Sequence, residues 1–439
     1  MEFRSHVTSQ GLTVIAECNP RSQVTAAGVF VRAGARDETP DVGGVSHFLE
    51  HMVFKGTRTR TAEQVNLRLD ELGAYSNART SEDCTIYHAA VLPEFQTPIV
   101  ELLTDLMRPV LRHEDFETEK QVILEEILMY EDQPPYGGYE RLMAEYFGAH
   151  PLGQSILGTT QSVGGLTPEQ MRRYFASRYN PNNMAIVAAG KVDFARLVDD
   201  VERSTWDWIP QPVARSITPV QGQSGFHTSL KPQSTQQYFL QLVRSPAAED
   251  PLRFAAGILA TILGDDSGSR LYWSLVDSGR AEVAAMATYE FEGAGVLLTY
   301  LCCAPEDAEE NLDELERLQR VTTNEGVTAR ELQLAKSKII SEIFISSERA
   351  ENRMFGIGGN WLKQRSYLPA EDVAKLFDAV TLDDVHQVLS QYSLTGGTRL
   401  AVGPLENLGQ EESPSATPRA VHCLSGSPGP VTGAPISPV

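Results

Sequence analysis

Leu166–Tyr179 (LTPEQMRRYFASRY), with the strand-like Ala185–Gly190 (AIVAAG) after it, is matched by Val380–Ser393 (VTLDDVHQVLSQYS), with Arg399–Gly403 (RLAVG) after it. Both pairs keep one offset of 214 residues (166 to 380, 185 to 399). Self-similarity at a fixed offset, helix pattern and strand alike, is the mark of a duplicated unit. The chain therefore reads as two homologous halves. Working outward, the first half opens with strand-like runs at Phe3–Val7, Leu12–Glu17 and Val24–Arg32, broken by turn residues at Gln10-Gly11 and Asn19-Pro20. A helical pattern covers Thr61–Leu72, two strands meet around Ser81-Glu82-Asp83, and helices dominate until a strand over Asn183–Val192. The same order starts again with strands over 226–243, a helix over Asp250–Leu263 and strands over Glu282–Leu301. Long helices over Glu306–Glu348 and a last strand at Arg399–Val402 complete it. The expected fold class is α+β, each half a mainly antiparallel sheet with helices packed on one side, the two forming a clamshell.

Between the halves, WDWIPQPVARSITPVQGQSG is rich in Pro, Gln and Ser and lacks periodicity, which reads as a linker. The expected division is 1–208, a linker over 209–225, a second half over 226–405 and a disordered Pro/Ser-rich tail over 406–439. His422 and Cys423 in that tail stand far from any ligand cluster.

At 439 residues the chain is too long for one ordinary core, and its 41% hydrophobic and 22% charged residues are those of a soluble globular protein. No apolar run approaches the ~18 residues of a membrane span. No signal or transit peptide is visible at the N-terminus, so the expectation is cytoplasmic, with no membrane partner. The five Cys show no disulfide spacing, and Cys302-Cys303 fall in the apolar run GVLLTYLCCAP, reading as buried structural thiols. Acidic residues outnumber basic ones 58 to 37, a net charge of −21 that repels phosphates and argues against nucleic acid.

His47-Phe48-Leu49-Glu50-His51 carries the chemistry. On a helix, His47 and His51 share a face four residues apart, with Glu50 one step before the second. Two neutral imidazoles suit zinc, and a nearby carboxylate can take the proton of an attacking water. His-x-x-Glu-His is the inverzincin order. Val45, Phe48, Leu49, Met52 and Val53 give this helix an apolar face. A third ligand should come from another element. Glu114–Glu131 (EDFETEKQVILEEILMYE) reads as a long helix on which Glu119 and Glu126, seven apart, lie nearly in line, whereas Glu125 points about 120° away. Glu126 is the expected ligand and Glu119 the supporting carboxylate. The second-half counterpart of the motif helix, LRFAAGILATILGDD, has no His or Glu at that spacing, so one half is expected to be inactive.

HFLEHMVFKGT, LGAYSNARTSEDCTIY and ETEKQVILEEI together resemble the pitrilysin and mitochondrial-processing-peptidase family of zinc peptidases, over roughly residues 1–405. The resemblance implies one zinc per chain held by His47, His51 and Glu126, with Glu50 as general base and Glu119 assisting. It further implies that a peptide or unfolded polypeptide substrate adds to the edge strand Ala74–Ala78, where Asn77 and Ala78 would bind it. The family's Arg and Tyr of the second half would fall near Val276 and Val283 and are absent; Arg280 or Tyr289 are the available substitutes. The reading is a zinc endopeptidase, with a catalytically weak or inactive assembly or interaction subunit of the same fold as the alternative; a homodimer, or a heterodimer with a related subunit, is the partner expectation.

Overall fold

The computed structural model describes residues 1–406 and 408. Most of the expected tail, His422 and Cys423 included, lies outside the described residues. In the first half the strands are β1 (Glu2–Val7), β2 (Thr13–Cys18), β3 (Thr25–Val31), β4 (Tyr75–Thr80), β5 (Thr85–Val91) and β6 (Met184–Gly190). Its helices are α1 (Val45–Val53), α2 (Ala62–Glu71), α3 (Gln96–Leu106), α4 (His113–Asp132), α5 (Pro134–Phe147), α6 (Thr160–Gly165), α7 (Pro168–Arg178) and α8 (Phe194–Thr205). The second half holds β7 (Gly225–Leu230), β8 (Gln237–Arg244), β9 (Val283–Phe291), β10 (Ala294–Cys303) and β11 (Thr398–Gly403). With them are α9 (Arg253–Gly264), α10 (Ala308–Glu325), α11 (Ala329–Ser347), α12 (Ala350–Gln364), α13 (Ala370–Ala379) and α14 (Leu382–Gln391).

The fold is α+β, built on two sheets whose orders are β1-β2-β6-β3-β5-β4 and β7-β11-β8-β10-β9. Apart from β1, the second repeats the first strand for strand. The lone parallel pair β2–β6 (Ile15 opposite Val187) recurs as β7–β11 (Leu400 opposite His227), and every other neighbour pair is antiparallel.

Both sheets are covered on both faces, which corrects the expectation of helices on one side. Side chains alternate along a strand, so β3 sends Ala27, Val29 and Val31 one way and Ala26 and Phe30 the other. The first set packs with Phe48, Leu49 and Met52 of α1 and Ile123 and Ile127 of α4. The second packs with Met354 and Ile357 of α12, a helix of the second half. Reciprocally, Leu142, Met143 and Tyr146 of α5 pack on Leu240, Val296 and Val402 of the second sheet. Each half thus lends one helix to the other, and β3 and β6 are buried at every residue. That is why they read as continuous apolar runs rather than alternating ones.

The counterpart turns β4–β5 and β9–β10 also meet. The Glu292 amide donates to the Asp83 carboxylate at 3.2 Å, Arg36 donates to Asp83 at 2.6 Å, and Arg32 pairs with Glu292. Residues 209–224 carry no helix or strand, yet they are fastened down. The Arg215 side chain is buried with its guanidinium on Asp37 (2.5 and 3.0 Å) and Glu292 (3.2 Å), and Gln223 donates its amide to the Tyr146 carbonyl.

Candidate functional site

α1 begins where a left-handed residue is required: Gly44 has φ 88°, and a Cβ there would meet the Leu157 carbonyl at 2.5 Å. Its first turn is capped by Glu38, which accepts the Gly44 and Ser46 amides at 2.6 and 2.7 Å. Burial pushes the Glu38 carboxyl up to about 8, against the opposing pull of those bonds. The Ser46 hydroxyl meets that of Tyr174 on α7 at 2.6 Å, and the Phe48 ring stacks on Phe116 of α4 at 4.6 Å. α1 and α4 are therefore locked in register by apolar contacts on their inner faces, and the polar residues beside that seam are brought together.

His47, His51 and Glu126 converge there, each offering one ligand atom within 4.8 Å of the others. The Glu126 Oε2 lies 4.0 Å from His47 Nε2 and 3.8 Å from His51 Nε2. These gaps are too long for hydrogen bonds, and short enough to close on one ion with bonds of about 2.0–2.2 Å. The donor set itself fits zinc. Burial, with the second imidazole nearby, drives the His47 pKa down to about 3, so its ring is neutral. The His47 Nδ1 is buried with no hydrogen-bond partner among the described residues, and the other ring nitrogen, Nε2, is the one that faces Glu126. His51 Nδ1 lies 3.0 Å from Glu119 Oε1; donating its N–H there leaves Nε2 a free lone pair facing Glu126.

Glu119 is almost fully buried. Burial would raise its carboxyl, but bonds from Lys55 (2.5 Å) and His51 outweigh that and hold it below the ordinary range. The Glu126 carboxyl is raised, chiefly by burial. Glu50 is raised by burial as well, with a hydrogen bond from Thr80 Oγ1 (2.6 Å) opposing. A carboxylate of raised basicity beside a metal-ligand triad is equipped to accept a proton. Glu125 is exposed, off this face.

β4 is the edge of its sheet, and Thr80 at its end touches Glu50. Ala78 is paired with Tyr87 and packs toward the α1 face, whereas Asn77 is paired with His88, whose ring packs on Phe355 of α12. The Asn77 Oδ1 accepts the Ala78 amide at 2.9 Å. In the second half, Val276 ends a single π-type turn and Val283 opens β9. Of the substitutes, Arg280 reaches the exposed Glu310 at 3.4 Å, and the Tyr289 ring lies against Tyr139 of α5, centroids 5.8 Å apart. α9 has no counterpart of the triad, and a Cβ at its Gly264 would meet the Met286 amide of β9 at 2.2 Å. Sequence reasoning missed Lys55, Thr80 and Glu38. Lys55 stood inside the quoted motif, four residues past His51, so helical spacing was a usable signal for it.

Residues 13–160 match "Insulinase (Peptidase family M16)" and residues 165–339 match "Peptidase M16 inactive domain". An uncharacterized zinc protease of Mycobacterium leprae is 31% identical over 396 residues, covering 87% of this chain and 88% of the relative. One of Bacillus subtilis is 27% identical, covering 92% and 99%. Among solved structures, a protease from Helicobacter pylori superposes with a TM-score of 0.85 at 21% identity, covering 92% of this chain and 99% of that one, and shares the fold. The triad residues fall within the first matched stretch and none of them in the second, and the chain belongs to peptidase family M16.

Proposed function

We propose that this protein is a zinc-dependent endopeptidase that hydrolyses peptides or unfolded protein segments held between its two halves, the second closing as a clamshell over the first. The observation that carries the reading is the convergence of His47, His51 and Glu126 with the basic carboxylate of Glu50 beside them. The names of the M. leprae and B. subtilis relatives, zinc proteases both, support it. Zinc held by the triad would supply Lewis acidity to the scissile carbonyl and to the attacking water. The chain's own residues do the rest. Glu50 takes the proton of the attacking water and passes it to the leaving amine, while Thr80 orients its carboxylate. Glu119 fixes the His51 ring. An extended peptide adds to the open edge of β4 through main-chain hydrogen bonds, with Asn77 and Ala78 at the contact, so recognition is of conformation more than of sequence.

Among the described residues the Cys18, Cys84, Cys302 and Cys303 thiols are free, which is compatible with the cytoplasmic reading, and no described helix is long and apolar enough to cross a membrane. A second reading, a weakly active subunit working with a related chain, is favoured by one observation: Val276 and Val283 stand at the positions expected for the Arg and Tyr.

Metal content of the purified protein tests the leading reading. About one zinc per chain is expected, lost on changing His47, His51 or Glu126 to Ala. Protein isolated without metal, and taking none up when zinc is added, overturns it.

A further inference from the structure

We propose that Lys55 is a positioning residue of the metal centre, its ammonium clamping Glu119 against His51 so that the ring is aimed at the ion. The inference rests on the zinc reading above.

The contacts form one continuous chain. Lys55 Nζ lies 2.5 Å from Glu119 Oε2, the other oxygen of that carboxylate lies 3.0 Å from His51 Nδ1, and His51 Nε2 faces Glu126 at 3.8 Å. Each carboxylate oxygen of Glu119 thus has its own partner. A carboxylate so held at both ends cannot rotate away from the imidazole, and charge-assisted bonds are the strong ones.

The backbone keeps Lys55 in place. It sits just past the end of α1, its amide donating to the Met52 carbonyl at 3.1 Å. Its own carbonyl accepts from Arg112 at 2.6 Å, and Arg112 is the N-cap residue just before α4, paired there with Asp115. The helix that carries Glu119 and the turn that carries Lys55 are thereby tied at their roots. Lys120, next to Glu119 in sequence, is directed elsewhere, onto the carbonyls of Gly164 and Leu166.

Burial calls for the same contact. The Glu119 side chain is only 7% exposed, and Lys55 is the cation that reaches it. Uncompensated charge is costly in such surroundings.

The test is zinc affinity, measured by competition with a chromophoric chelator, for wild type, Lys55→Met, Lys55→Arg, Glu119→Gln and the Lys55→Met/Glu119→Gln pair, alongside the melting temperature of each metal-free protein. Lys55→Met is expected to weaken zinc roughly tenfold, Lys55→Arg to recover most of that, and the double variant to bind no worse than Glu119→Gln alone, because the lysine acts through the glutamate. Should Lys55→Met fail to fold, Lys55→Gln is read in its place. Unchanged affinity in the Lys55 variant, or losses that add in the double variant, overturns the proposal, and a lowered melting temperature with wild-type affinity shows a merely structural lysine. Wild type that binds no zinc overturns the zinc reading and this one together, whereas tight wild-type binding with an indifferent Lys55 variant removes this one alone.

Discussion

The Thr80 hydroxyl and the Glu50 carboxylate are joined at 2.6 Å, across the gap between α1 and the edge strand β4. The group expected to move the proton is thereby tied to the strand expected to hold the peptide. Thr80→Val keeps the shape and removes the bond. The expected outcome is a fall in kcat of about tenfold, the scale of losing one orienting contact, with zinc content unchanged. Steady-state kinetics with metal analysis checks it, and an unchanged kcat contradicts it.

Glu17 on β2 is buried and paired by Arg353 of α12 through both oxygens, one bond at 2.6 Å, with the Tyr367 hydroxyl donating at 2.6 Å. Removing only the arginine strands a buried carboxylate. Arg353→Met should therefore cost about 3–5 kcal/mol, whereas Arg353→Met with Glu17→Leu should recover most of it. Urea unfolding of the two variants measures the difference.

The exchange of α12 makes its three glycines unequal. A Cβ at Gly358 would meet the Phe30 ring at 2.4 Å, whereas at Gly356 and Gly359 nothing lies within 4 Å. Gly358→Ala should destabilise by about 1–3 kcal/mol through overpacking, and Gly356→Ala or Gly359→Ala should stabilise by up to about 1 kcal/mol through helix propensity. Thermal melts of the three single variants give the ranking, and equal effects would mean α12 does not pack so closely on the first sheet.

Arg270 clamps Glu331 with bonds of 2.7 and 2.9 Å. Burial pushes the Glu331 carboxyl up, but the Arg270 and Thr328 bonds prevail and hold it down to about 2, below its ordinary 4.5. A carboxyl whose folded pKa is depressed adds stability that is present above its unfolded pKa and lost as pH falls through the folded one. The melting-temperature advantage of wild type over Glu331→Gln should therefore be constant above about pH 4.5 and shrink toward pH 2. An advantage that grows on acidification contradicts this.

Much of the candidate site was legible because its residues repeat at helical spacing: His47 and His51 four apart on one helix, Glu119 and Glu126 seven apart on the next. The duplicated topology was legible from one recurring helix–strand pair. What escaped were contacts between elements distant in the chain. Nothing local in Ala350, Met354 and Ile357 says that they cover Phe30 and Val187 rather than their own sheet. The signal lay on the other side, in TAAGVFV and MAIVAAG, strands too apolar throughout for a sheet covered on one face. Arg215 escaped because it lies in a Pro-rich stretch that looks like free chain, although its partners Asp37, Asp83 and Glu292 bury it.

Cleavage of an unstructured peptide library, by wild type and by Glu50→Gln, each shown to hold one zinc, decides whether Glu50 serves a zinc peptidase as its base. Cleavage by wild type is expected, with at least a hundredfold slower cleavage by Glu50→Gln, the order expected for loss of a general base. Equal rates for the two, or no cleavage by zinc-loaded wild type, would contradict it.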